Sequence, residues 1–125
     1  MKSKDKFEEQ ILKINRVFHE YRIAKVESYM RPNFESKDLI DAGIVVKPYN
    51  YDLLEEIVLY INQESRKFGK DTAIRIFYDS ENNICHLTIK PDLSSPRTQW
   101  LEETENFISH IPHFINDYET RFRKR

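Results

Sequence analysis

The chain has a single cysteine, Cys85, and only two glycines, Gly43 and Gly69, among its 125 residues. One thiol excludes an internal disulfide and the zinc sites built on paired cysteines. Two glycines make no phosphate cradle, and no G-x-G-x-x-G, P-loop, H-E-x-x-H or G-x-S-x-G pattern occurs. Long apolar runs are missing as well: no segment approaches the roughly 18 uncharged apolar residues that a membrane helix needs. The opening MKSKDKFEEQ passes from basic to acidic residues without the apolar core of a secretion signal. The expected location is therefore cytoplasmic, with no membrane partner. Charge of one sign is also lacking, since 20 basic residues face 21 acidic ones for a net charge of -1. The halves divide evenly, ten basic and eleven acidic up to Asn62, ten and ten after it. Such a balance sets up no global field for DNA or an anionic membrane.

Aromatic residues are plentiful, with eight Phe, seven Tyr and one Trp. They supply the large apolar areas that a compact core of this length needs. Phe7, Ile11, Ile14, Phe18 and Tyr21 keep one helical face apolar over the first 30 residues, with Ser3 as a usable N-cap. From Arg22 to Met30 a continued helix and a short strand fit equally well, because neither glycine nor proline marks a stop before Pro32. Ser36 is placed to cap a single helical turn closed by Gly43. Ile44 to Lys47, β-branched and followed by Pro48, is expected as an edge strand.

Asn50 is a good cap for a central helix from Tyr51 to Phe68 that stops at Gly69. Thr72 to Asp79 and Ile84 to Lys90 alternate as two strands joined by Ser80 to Asn83, a β-hairpin. Ser95 followed by Pro96 starts a last, long helix whose apolar face runs from Trp100 to Phe122 through Pro112, with a kink expected there. No repeat or linker divides the chain. The expected fold is a single α+β domain over 1–125, with helices packed on a small antiparallel sheet that contains the hairpin.

Three sets of residues carry candidate chemistry. His110, His113 and Asp117 share a helix face at spacings of three and four, where two imidazoles and a carboxylate suit a metal and a small metal-dependent enzyme. Against this, the trio lies away from the apolar stripe, and a solvated surface explains it as well. Arg121, Arg123, Lys124 and Arg125, with Phe122, are the only local argument for nucleic acid, which is disfavoured because no recognition helix or basic stripe accompanies them. Cys85 beside His86 suggests a thiolate pair, yet strand neighbours point to opposite faces, so the thiol is expected inside the core and unactivated. The acidic clusters Glu8-Glu9, Glu55-Glu56 and Glu102-Glu103-Glu105 are explained by placement near helix starts.

The aromatic and thioether residues in polar settings, Tyr29, Met30, Phe34, Tyr49 and Tyr51, suit a contact surface, because such side chains bury area with few rotatable bonds. The alternative role for them is to fill the joints between helices and sheet. The first and last helices also have more apolar surface than one small sheet covers, which favours self-association as a two-fold dimer. The expected function is a non-catalytic protein-protein interaction module, of adaptor, chaperone-like or inhibitor type, needing no cofactor and binding a protein partner.

Overall fold

The computed structural model describes residues 6–32, 41–67 and 71–123. In chain order the elements are α1 (Lys6–Glu20), β1 (Ala24–Met30), β2 (Ala42–Pro48), α2 (Tyr51–Arg66), β3 (Ala73–Asp79), β4 (Ile84–Lys90) and α3 (Arg97–Phe122). The α+β class, the hairpin and the long last helix are as the sequence implies. The four strands form one antiparallel sheet in the order β1-β2-β4-β3.

Strand alternation decides what that sheet buries. Ala42, Ile44, Val46 and Pro48 of β2 and Cys85, Leu87 and Ile89 of β4 are buried, with Ala24 of β1 and Ile74 of β3 beside them. The alternate residues face the other side. All three helices converge on the buried face, where Ile14 and Phe18 of α1, Ile57 and Ile61 of α2 and Ile111 of α3 meet Ile44 and Leu87 around a void of only about 10 Å³. α3 packs against both other helices. It runs parallel to α1, since Phe7 lies beside Ile108 and Tyr21 donates to Asn116 Oδ1 at 2.7 Å. It runs antiparallel to α2, since Glu56 accepts from Tyr118 while Ser65 borders Phe107.

α1 ends by a device the sequence conceals. Arg22 takes a left-handed backbone (φ 55), its N–H bonds the His19 carbonyl at 3.1 Å, and the Ile23 N–H reaches back to the Phe18 carbonyl at 2.8 Å. This is the Schellman stop, usually built on glycine. The chain leaves it as a strand, which resolves the helix-or-strand alternative for Arg22 to Met30.

Several expectations are corrected. The Ile44 to Lys47 segment is not an edge strand: β2 pairs with β1 on one side and β4 on the other. Pro48 is tolerated because it comes last in the strand, opposite Ala24. The helix from Asn50 is capped as expected, with Asn50 Oδ1 accepting from the Leu53 N–H at 3.2 Å, but it ends at Arg66. Pro96 itself is the N-cap of α3 and makes no side-chain cap bond, so Ser95 does not cap it. No acidic residue lies in the first turn of α3, so Glu102, Glu103 and Glu105 are not held there by the helix dipole, and in α2 only Asp52 is. The helical turn expected from Ser36 lies largely outside the described residues.

Candidate functional site

The side of the sheet away from the helices is the surface with the clearest functional character. β1 presents Lys25, Ser28 and Met30 there, β2 Gly43, Val45 and Lys47, β4 His86 and Thr88, and β3 Arg75, Phe77 and Asp79. The pairing lines these up in transverse rows. One row is Ser28, Val45, His86, Phe77, and its neighbour is Met30, Gly43, Thr88, Arg75. The middle of the face is uncharged and its rim is charged, the anatomy of a contact surface. Phe77 is 69% exposed and Met30 54%, and a tilted His86 ring lies beside Phe77 at 6.5 Å. At the rim Lys47 pairs with Glu27 at 3.6 Å and Lys90 with Asp41 at 3.3 Å.

Both outer strands are guarded along their open edges. Asn62 of α2 accepts from the Ile74 N–H at 2.9 Å and donates to its carbonyl at 3.0 Å, taking the two backbone groups that a neighbouring strand would use. On the far side Asn15 of α1 accepts from the Val26 N–H at 3.1 Å, next to a β-bulge between Val26 and Ser28. Occupied groups and bulges discourage edge pairing, which leaves the flat face as the accessible part of the sheet.

The described residues among the five expected at a partner contact, Tyr29, Met30, Tyr49 and Tyr51, do not form one patch. Met30 and Tyr49 are exposed, but they lie at opposite ends of β2, Met30 paired with Gly43 and Tyr49 after Pro48. Tyr29 packs against the Phe7 ring at 5.6 Å. Tyr51 stacks on Tyr78 at 4.0 Å with the rings 9° from parallel, and donates to Glu55 at 2.9 Å. Both are partly buried against the core. Phe34 lies outside the described residues. Phe77, the most exposed aromatic of the sheet, belongs to the face, and its strand alternation is the signal that finds it.

His110 and His113 are exposed on either side of Phe114, and His110 Nδ1 lies 2.7 Å from the Asn106 carbonyl. Asp117 is engaged by Tyr60 and by Arg121 at 3.2 Å. Among the described residues no group of three His, Cys, Asp or Glu side chains is set to hold a metal. Of the expected basic cluster, Arg121 is thus paired, and Arg123 is tied to Glu119 at 2.6 Å and to the Tyr21 carbonyl at 3.4 Å. Lys124 and Arg125 lie outside the described residues.

Titratable groups do gather between α2 and α3, where the Tyr60 hydroxyl meets Glu64 and Asp117 and the Tyr118 hydroxyl donates to Glu56 at 2.6 Å. The Tyr60 hydrogen bond, ahead of the Arg121 and His113 charges, holds the Asp117 carboxyl below its usual range. The bond from Lys67 chiefly does the same for Glu64. Burial first, then the bond to Asp117, pushes the Tyr60 phenol up, and burial with Glu56 pushes Tyr118 to about 12. Tyr60 of α2 bonds Asp117 of α3 and Tyr118 of α3 bonds Glu56 of α2, so the cluster ties the two helices together. Cys85 is fully buried on the helix side, its thiol pushed up to about 11 by burial, while His86 faces the opposite side. Comparison with protein-family models, with curated proteins and with solved structures finds no match to this chain.

Proposed function

We propose that this protein is a non-catalytic protein-interaction module that makes its contact through the uncovered sheet face. The observation that carries this reading is the pair Met30 and Phe77, 54% and 69% exposed, on the two outer strands of a helix-free sheet face. Exposed aromatic and thioether side chains bury large area at little conformational cost, which suits them to protein contacts. The neutral overall charge and the internally paired Arg121 and Arg123 weigh against nucleic acid as the partner. A cytoplasmic setting fits the reading, as no described helix is long and apolar enough to cross a membrane.

The test is covalent capture in the cells that make the protein, comparing the natural chain with Met30→Ser and Phe77→Ser, each with and without nuclease and chelator. A protein captured in stoichiometric amount, lost on either substitution and indifferent to nuclease and chelator, supports the reading. Capture that requires nucleic acid or metal, or that ignores both substitutions, overturns it.

A further inference from the structure

The uncovered face carries both halves of a fit, and we infer that its occupant is a second copy of this chain. The two copies dock face to face about a two-fold axis lying between the sheets and parallel to the strands. This rests on the contact-face reading above and names the partner for it. On one flank Phe77 stands out from β3, 69% exposed. Towards the other flank a hollow of about 300 Å³ opens over Gly43, walled by Ser28, Met30, Val45, His86 and Thr88, with Asp41 at its charged end. A Cβ built on Gly43 would touch Met30 Cβ at 3.8 Å and the Leu87 carbonyl at 4.0 Å, so the missing side chain at Gly43 deepens the hollow. A knob and a hole therefore sit at opposite sides of one surface.

A two-fold axis along the strands lays β1 of one copy over β3 of the other and β2 over β4, so each transverse row meets itself reversed. Phe77 of each copy then comes down on Ser28, one wall of the other copy's hollow, while Thr88 faces the Gly43 floor. The charges obey the same reversal. The row that begins with Lys25 and Lys47 ends with Ile84 and Asp79, so Lys25 of one copy faces Asp79 of the other. Asp41 and Lys90, already paired at 3.3 Å, are likewise set against their opposites in the second copy. An axis across the strands would instead lay β3 over β3 and β1 over β1, keeping Phe77 away from the other copy's hollow. Edge-to-edge pairing is hindered by Asn15 and Asn62. Four strands of seven residues make a face of roughly 450 Å² per copy, below the size of stable pairs and within that of weak, transient contacts, so the dimer is a weak, reversible one.

Sedimentation equilibrium of the full chain up to high micromolar concentration tests the pairing. The natural chain is expected to dimerise reversibly, Phe77→Ser to remain monomeric over the same range with its melting temperature unchanged, and Leu59→Ser, on the outer side of α2, to dimerise normally. Register is read with Met30→Cys and Arg75→Cys, which share a row on outer strands. Under mild oxidation they form a linked dimer when mixed and not when each is alone. A monomeric natural chain, a dimer that survives Phe77→Ser, or cross-linking within either single variant overturns the inference. A monomeric chain that still captures another protein through Met30 and Phe77 sinks the self-pairing alone, whereas a chain with neither property sinks the contact-face reading too.

Discussion

Neighbouring residues of the same type have different roles here, and Tyr49 and Tyr51 show it. Tyr49 is 55% exposed, while Tyr51 stacks on Tyr78 and bonds Glu55. Tyr49→Ser is expected to leave the melting temperature within a degree or so, and Tyr51→Ser to lower stability by about 1–2 kcal/mol through the lost stack and hydrogen bond. Thermal unfolding of the two variants side by side checks this; equal effects would show that Tyr51 is not a packing residue. Asn62 is a second residue whose role its type does not announce. Asn62→Ala leaves the Ile74 N–H and carbonyl unpaired at a half-buried edge, at a cost of about 1–3 kcal/mol. Its expected signature is a lower melting temperature accompanied by increased light scattering at fixed concentration.

At the scale of the element, the stop of α1 is the informative case. A left-handed backbone costs a residue with a Cβ about 1 kcal/mol relative to glycine. Arg22→Gly is therefore expected to raise the melting temperature, offset in part by the greater freedom of glycine in the unfolded chain; a fall would mean that the Arg22 side chain has a contact worth more than the strain. The same residue explains what could be read beforehand. The hairpin, α2 and α3 were legible because their periodicities run between conventional caps and turns. The end of α1 and the start of β1 were not, because Arg22 does the work of a glycine. The central place of β2 was hidden for another reason: Ile44, Val46 and Pro48 look the same in an edge strand and an inner one, and only the long-range pairing to Ala24 and Cys85 distinguishes them. For the candidate site, alternation exposes Phe77, but no local pattern says that the face it stands on stays uncovered.

At the scale of the whole molecule, the tyrosine clamps couple the fold to pH. The Tyr51 phenol is pushed up to about 12, first by its hydrogen bond to Glu55, and Tyr118 to about 12, first by burial. Unfolded, both ionise near 10. The folded state is therefore favoured in full below pH 10, and that favour is lost as pH rises towards 12. Asp117 and Glu64, held low in the fold, contribute in the opposite direction: their share is present above the ordinary carboxylate range and lost as pH falls through their folded values. The melting temperature is expected to be flat through neutrality and to drop between pH 10 and 12, with Tyr118→Phe making that alkaline drop shallower. A titration in which Tyr118→Phe falls as steeply as the natural chain would count against the clamp.

α3 sits between α1 and α2 in space yet comes last along the chain, bonding Tyr21 across separations of 95 and 102 residues. During synthesis the apolar flanks of the two earlier helices must wait until the final 26-residue helix has left the ribosome. Until then the nascent chain carries a greasy slot where that helix belongs, and the interval before it arrives is when this protein most needs shelter from its neighbours.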